Sequence, residues 1–262
     1  YDLNKTALIM SQTGGGCRAT NYIGFIRKAL KDAGFANIPV ISFNVVGMEK
    51  MPGFKITPDM VEKLLKVVVY GDLLQKMLTK NRVYEVNKGE TQKLYDEWMQ
   101  KCKELVVHSS LAEFKKSIYD MVNDFEKIEL DTSIKKPKVG IVGEILVKFL
   151  PGANNHLVDL LGIVGEVLIK YHPFGNNFIA EKLEQEGAEV ILPDFMGFVK
   201  FMATHKITFN TLIKTDKYKA KIFKLAIKLI DILEKDERIA LANSKKGYLQ
   251  PCDIWELEDK VK

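Results

Sequence analysis

The chain is poor in cysteine and has no long apolar run. Its 262 residues include only three cysteines, too few and too far apart for a disulfide-stapled fold and typical of a reducing cytoplasm. No Cys-x-x-Cys pair occurs, so zinc is not predicted. Neither a stretch of about 18 apolar residues nor a charged segment leading into an apolar one is present. We therefore expect a cytoplasmic protein without a membrane span or signal peptide. Because the chain begins with Tyr1, we expect either a piece of a longer chain or a processed product.

The excess of positive charge is small and local. The whole chain has 39 basic and 34 acidic residues, and residues 212–246 alone hold ten basic against five acidic ones. Five lysines in that segment follow each other at intervals of three and four, which places them on one helical face: Lys214, Lys217, Lys221, Lys224 and Lys228. The simplest interpretation is the solvated face of an amphipathic helix, and a surface for phosphate or an acidic partner is the alternative. Nucleic acid is not a predicted partner. The predicted packing face of that helix carries Ile222, Ala226, Leu229 and Leu233.

The first fifty residues have the pattern of a strand–helix–strand unit. The apolar run 7–10 predicts a buried strand, and residues 11–16 form a cluster of chain-breaking residues. A helix is predicted from Arg18 to Ala33, with Gly34 as its stop, and a second strand over 38–43. This order predicts two parallel strands.

Residues 57–135 are predicted to be a helical insertion. Thr57 before Pro58 is typical of a helix start, and Ser110 with Glu113 forms a capping-box pattern. Cys102 shares a helical face with apolar neighbours, so we expect it in the core.

Residues 136–262 are predicted to be a second α/β half with C-terminal helices. Strands are expected over 139–143 and 188–192, and residues 140–155 are repeated 22 residues later at 162–177. The predicted fold class is α/β, with Rossmann-like parallel sheets in two halves, 1–56 and 136–262, and the helical insertion between them.

A glycine loop follows the first predicted strand. Gly14, Gly16 and Ala19 satisfy the pattern G-x-G-x-x-A, which brings backbone N–H groups and a helix start toward an anion. A tight turn without a ligand fits equally well. Asn44 stands where a dinucleotide site needs an acidic residue, which disfavours a nucleotide-binding oxidoreductase. Cys17 adjoins Arg18 at the predicted helix start, a position that favours the thiolate.

A second candidate site lies in the repeated segments. Glu144 and Glu166 each end a predicted strand, where ligands bind in open α/β sheets. Lys170, His172 and Asn176 follow the second of them. These residues predict either a polar binding site or only loop hydrogen bonds and helix caps.

The segment Ser11–Tyr22 and the Gly-Ile-Val-Gly-Glu…Lys…Pro…Asn-Asn segments together resemble the 2-hydroxyacyl-CoA dehydratase family. The resemblance is closest to the dehydratase-like region of large CoA-substrate-specific activases, also described as 2-hydroxyglutaryl-CoA dehydratase activators. The resemblance extends over most of the chain and is clearest in residues 6–44 and 138–198. It implies a Rossmann-like fold, an iron–sulfur cluster of the 4Fe-4S type and low-potential electron transfer driven by ATP hydrolysis in an activator domain or subunit.

In that family the transferred electron forms a ketyl radical on a 2-hydroxyacyl-CoA, and water is lost. The resemblance implies that Cys17 is a cluster ligand. It also implies that the family's other cysteine motifs and its ATPase motifs lie outside residues 1–262. On this basis the cluster is expected to be incomplete in this chain, and the isolated chain to be inactive. Residues shaping the expected substrate site are Gln12, Gly14, Gly15, Gly16, Arg18, Glu144, Glu166, Lys170, His172 and Asn176. The alternative is a non-catalytic docking module of Rossmann-like fold for an activator subunit or a CoA-type anion.

Overall fold

The computed structural model describes residues 2–12, 18–43, 57–140, 178–212, 217–251 and 253–255. The chain divides into two compact units, Tyr1–Val61 and Glu62–Lys262. Among the helices of these ranges, none combines the length and the apolarity that crossing a bilayer requires.

The described part of the first unit before residue 44 forms a parallel strand pair and an α-helix. Strands β1 (Leu8–Ser11) and β2 (Val40–Phe43) pair in register, with Ile9 opposite Ile41. A 3₁₀ turn at Arg18–Asn21 leads into α1 (Tyr22–Asp32). Gly34 has a φ of +82°, the left-handed conformation that glycine adopts freely at a helix end. The predicted strand–helix–strand unit with parallel strands is confirmed here.

Three long helices open the second part of the chain. Helix α2 spans Pro58–Arg82, α3 spans Glu90–His108 and α4 spans Leu111–Glu126. The Thr57 hydroxyl accepts a hydrogen bond from the backbone of Met60 at 3.2 Å. Both halves of the predicted capping box at α4 are present. Local sequence therefore determines where these helices begin.

The remaining elements form a second parallel pair and three further helices. Strand β3 (Lys138–Gly140) pairs with β4 (Glu189–Ile191). Helix α5 (Ile179–Gln185) precedes β4, and α6 (Phe195–Leu212) and α7 (Lys217–Asn243) follow it. The described architecture is thus mostly helical with two small parallel strand pairs. The repeat at 140–155 and 162–177 lies, apart from Gly140, outside the described residues.

The core of the second unit is built on the inward faces of α2, α3, α4 and α7. Cys102 is only 5% exposed within it, as predicted. The apolar side chains of α4 from Phe114 to Phe125 are buried as well, although Leu111 at its start is 49% exposed. The buried side chains that α2, α3 and α4 contribute to this core are Val69, Tyr70, Leu73, Leu74, Met77, Trp98, Cys102, Phe114, Ile118, Met121, Val122 and Phe125.

The predicted packing face of α7 is wrong. Ile222 and Leu229 are more than half exposed, whereas Ile227 and Ile230 are buried. Glu234 and Glu237 also point inward, where they pair with Lys200 and Lys76. The helix is apolar on two sides, so periodicity cannot tell which side packs, and in the structure the buried ion pairs lie on the side that does.

Candidate functional site

The carboxyl ends of β1 and β2 are joined by one buried side chain. Gln12 directly follows β1 and is 9% exposed. Its Nε2 donates to the carbonyl of Thr20 at 2.9 Å, and its Oε1 accepts from the hydroxyl of Ser42 at 2.7 Å. Ser42 lies in β2 and is buried. Gln12 therefore holds both strand ends and the turn before α1 together, at the sheet edge where α/β proteins bind ligands.

Few of the predicted site residues fall where the structure describes the chain. Gln12 does so with its side chain, and Arg18 opens the 3₁₀ turn before α1. The segment bearing Cys17 connects these two residues in the sequence. The predicted site residues outside the described ranges are Gly14, Gly15, Gly16, Cys17, Glu144, Glu166, Lys170, His172 and Asn176.

The described residues do not supply a metal centre. Within them, no three His, Cys, Asp or Glu side chains are placed to hold an ion. Cys102 packs in the core among Trp98 and other apolar side chains, and burial raises the pKa of its thiol to about 12. A thiol in that environment stays protonated and does not ligate iron. The part of the chain that is described therefore does not fit an iron–sulfur cluster by itself.

A cavity of about 580 Å³ lies in the second unit. Helix α2 forms one wall, and β4 with its connection to α6 forms another. Tyr95 of α3 and Tyr248 also line it. Its walls combine aliphatic side chains with several charged groups, the usual composition of a small-molecule site.

A buried three-charge cluster borders this cavity. The Lys76 ammonium lies 2.9 Å from a carboxylate oxygen of Asp194 and 2.9 Å from one of Glu237. Burial raises the pKa of Glu237 to about 7, although Lys76 opposes this rise. Burial also lowers the pKa of Lys76, but the two carboxylates outweigh it and the net shift is upward. The cluster ties α2 to the start of α6 and to α7.

Asp72 caps helix α6 from the neighbouring helix. Its two carboxylate oxygens accept hydrogen bonds from the backbone N–H groups of Phe195 and Met196, both at 2.8 Å. A carboxylate at a helix N-terminus satisfies free donors and the helix dipole. Burial nevertheless raises the pKa of Asp72 to about 6, against the effect of these two donors. A carboxyl with that pKa exchanges a proton close to neutral pH.

Ion pairs also connect α2 to β4 and α5 along the cavity wall. The Lys80 ammonium lies 3.1 Å from Glu189, which also accepts a hydrogen bond from the hydroxyl of Tyr84 at 2.8 Å. The Arg82 guanidinium lies 2.7 Å from a carboxylate oxygen of Glu184. The cations of this wall are thus compensated by protein carboxylates.

This cavity was not predicted from the sequence. The available signal is that Asp72, Lys76 and Lys80 follow each other at intervals of four in α2, so that they share one face of that helix. Their partners at 189, 194 and 237 are distant in sequence, and no local pattern relates them.

Comparison with known proteins identifies no relative. No protein-family model, no curated protein and no solved structure matches the chain.

Proposed function

We propose that this chain is a dehydratase-like, iron–sulfur-linked part of an ATP-driven system that dehydrates 2-hydroxyacyl-CoA thioesters in the cytoplasm. An ATPase activator domain or subunit would deliver the electron, and an acyl-CoA would be the substrate. The proposal rests on the resemblance of the segment Ser11–Tyr22 to that family. It is supported by Gln12, a described residue of this segment that directly follows the first strand of a parallel pair.

The observation that carries the proposal is the arrangement around Gln12. Its contacts with Thr20 and Ser42 hold the residues before and after the glycine loop in one place. Gln12 and Thr20, which flank the glycine loop in the sequence, are thereby held together near the carboxyl ends of the strands, where α/β proteins commonly bind ligands. Glu144, Glu166, Lys170, His172 and Asn176 are proposed for the substrate side.

Cys17 is the proposed cluster ligand in this chain. Because Cys102 is a buried thiol, the other ligands must come from outside the described residues or from a larger parent chain. A cluster of the 4Fe-4S type needs about four ligands, mostly thiolates. The cluster would supply low-potential electrons, and Gln12, Arg18 and the three loop glycines would shape the space around it.

Anaerobic reconstitution with iron and sulfide tests the proposal. We expect the parent chain to bind iron, its Cys17→Ala variant to lose most of that iron, and its Cys102→Ala variant to retain it. The Cys102 variant is a matched control, since it removes a thiol of the core. Iron content that is unchanged in the Cys17 variant, or absent from the parent, would contradict the proposal.

A second candidate function is docking of an activator subunit without catalysis. The observation in its favour is that Lys221, Lys224 and Lys228 are exposed on α7, as predicted. A cationic row on a helix attracts an acidic partner. In this case the chain would bind its partner with or without iron.

A further inference from the structure

Helix α7 is apolar on its outward side as well as on its inward side. Five large side chains at spacings of four and three, starting at Tyr218, are between 53% and 80% exposed. We call them the outer stripe: Tyr218, Ile222, Leu225, Leu229 and Ile232. They lie opposite Ile227, which is fully buried. One apolar face is enough to hold a surface helix on its core, so a second one marks an interaction site.

The outer stripe has defined ends. From Tyr218 to Ile232 it extends about 21 Å at 1.5 Å per residue. The next position on the same side of the helix is Asp236, whose carboxylate pairs with Lys115 of α4 at 3.3 Å and accepts a hydrogen bond from Tyr119. The stripe thus ends where α7 meets α4, and its length suits a partner helix of about four turns.

Lysines follow one flank of the outer stripe. Lys221, Lys224, Lys228 and Lys235 are exposed and lie on the same side of it. Residues 217–230 contain no acidic side chain. The surface is therefore apolar along its centre and cationic along one edge.

We propose that the outer stripe docks an α-helix that has an apolar stripe of its own and carboxylates along one flank. Apolar side chains would interdigitate along the centre, and the lysine flank would set the orientation by pairing with the carboxylates. This inference deepens the docking function and does not depend on iron binding by Cys17.

Charge distinguishes this occupant from an antiparallel second copy of α7. In such a pair the same flank of both copies would meet, and lysines would face lysines. A separate, acidic helix is the occupant that complements the surface.

The test measures binding of two labelled helical peptides of about 18 residues, each with a leucine stripe and with either glutamates or lysines along one flank. The protein is compared with three double variants: Leu225→Ser with Leu229→Ser, Lys224→Glu with Lys228→Glu, and, as a control on α3, Lys93→Glu with Lys103→Glu. Urea unfolding of each variant checks that these exposed substitutions leave the fold intact.

We expect the protein to bind the acidic peptide and to bind the basic one more weakly. The serine variant should weaken binding of the acidic peptide about thirtyfold, and the glutamate variant on α7 should weaken it about tenfold and bind the basic peptide instead. The α3 control should bind as the unchanged protein does. This reversal of preference would establish the charge complementarity.

Three results would overturn the inference. The first is that the protein binds both peptides equally well, and the second is that the α7 variants bind the acidic peptide as the unchanged protein does. The third is that the protein sediments with vesicles of equal parts phosphatidylcholine and phosphatidylserine but binds neither peptide. Iron content of the same variants after reconstitution reports separately on the proposed iron site, so failure of one proposal is distinguishable from failure of the other.

Discussion

The two units satisfy their buried polar groups in different ways. In the first unit, a neutral amide and a hydroxyl, Gln12 and Ser42, bond to each other at the ends of two strands. The second unit has such neutral bonds too, as between Asn81 and Tyr248, and in addition buries charged groups, as in the cluster of Lys76, Asp194 and Glu237. Loss of one partner of a buried neutral pair costs about 1–3 kcal/mol, whereas loss of one partner of a buried ion pair costs about 3–5 kcal/mol. The second unit should therefore be much more sensitive to single substitutions and to pH.

Substitution of Lys76 by Met should have the largest effect. It leaves the carboxylates of Asp194 and Glu237 buried without their cation, and we expect the free energy of unfolding at pH 7 to fall by about 3–5 kcal/mol. Urea unfolding followed by circular dichroism measures this. Lys93→Met on the exposed surface of α3 is the control and should change the value by less than about 0.5 kcal/mol. Equal effects of the two substitutions would mean that the cluster does not contribute to stability.

The second largest effect is expected in the pH dependence of the free energy of unfolding. The pKa values of Asp72, about 6, and Glu237, about 7, lie above those of ordinary carboxyls. The folded protein therefore binds more protons than the unfolded chain between about pH 4 and pH 7, and the contribution of these groups to stability is lost as the pH rises through that window.

Glu237→Gln isolates this effect. The amide stays uncharged at every pH. From pH 5 to pH 8 we therefore expect the free energy of unfolding to fall by about 2 kcal/mol less in the variant than in the unchanged protein. Unfolding in urea at a series of pH values measures the slope. Glu104→Gln, on the exposed side of α3, should leave the slope unchanged. A parallel slope in the Glu237 variant would show that this carboxyl titrates as it does in the unfolded chain.

Loss of the neutral bond in the first unit should have a smaller effect. Ser42→Ala removes the donor to Gln12, and we expect a loss of about 1–2 kcal/mol that is confined to the strand pair. Hydrogen exchange of the β1 and β2 amides should accelerate about tenfold. Thr6→Ala, which removes an exposed hydroxyl bonded to the carbonyl of Asp2, serves as the control in the same unit. Faster exchange throughout α2–α4 would contradict the local character of this contact.

The smallest effect is expected at a helix start that local sequence already specifies. Ser110→Ala removes both hydrogen bonds that the hydroxyl makes with Glu113 at the start of α4, and we expect a loss of about 1 kcal/mol. Ser110→Asp should restore most of it, since aspartate is an equally good cap. Thermal unfolding of the two variants provides the comparison, and no recovery with aspartate would argue against capping as the cause.

Several parts of the fold were predictable from the sequence because their causes are local. Thr57, Gly34 and the pair of Ser110 with Glu113 each act on backbone groups within four residues. Cys102 could be assigned to the core because its helix has a single apolar face. Gln12 was a predicted site residue, but its bond to Ser42 joins positions 30 residues apart.

The cavity of the second unit was not predictable in the same way. Lys76 and Glu237 are 161 residues apart in the chain, and each taken alone is a charged residue on a helix, a pattern that usually indicates a solvated face. On α7 the sequence permitted two packing faces, and the wrong one was predicted. Periodicity reports that a face is apolar, and it does not report whether another element covers that face.

The amino-acid sequence by itself determined the starts of α2 and α4 and the row of exposed lysines on α7, because capping and helical spacing act over a few residues. It also indicated the parallel strand pair of the first unit, because a strand–helix–strand order brings the second strand back parallel to the first. Only the tertiary structure decided which side of α7 is buried, which carboxylates compensate Lys76 and where the cavity lies. Those outcomes depend on the meeting of side chains between 34 and 161 residues apart in the chain, and burial of a charge is favourable only where its partner is already in place.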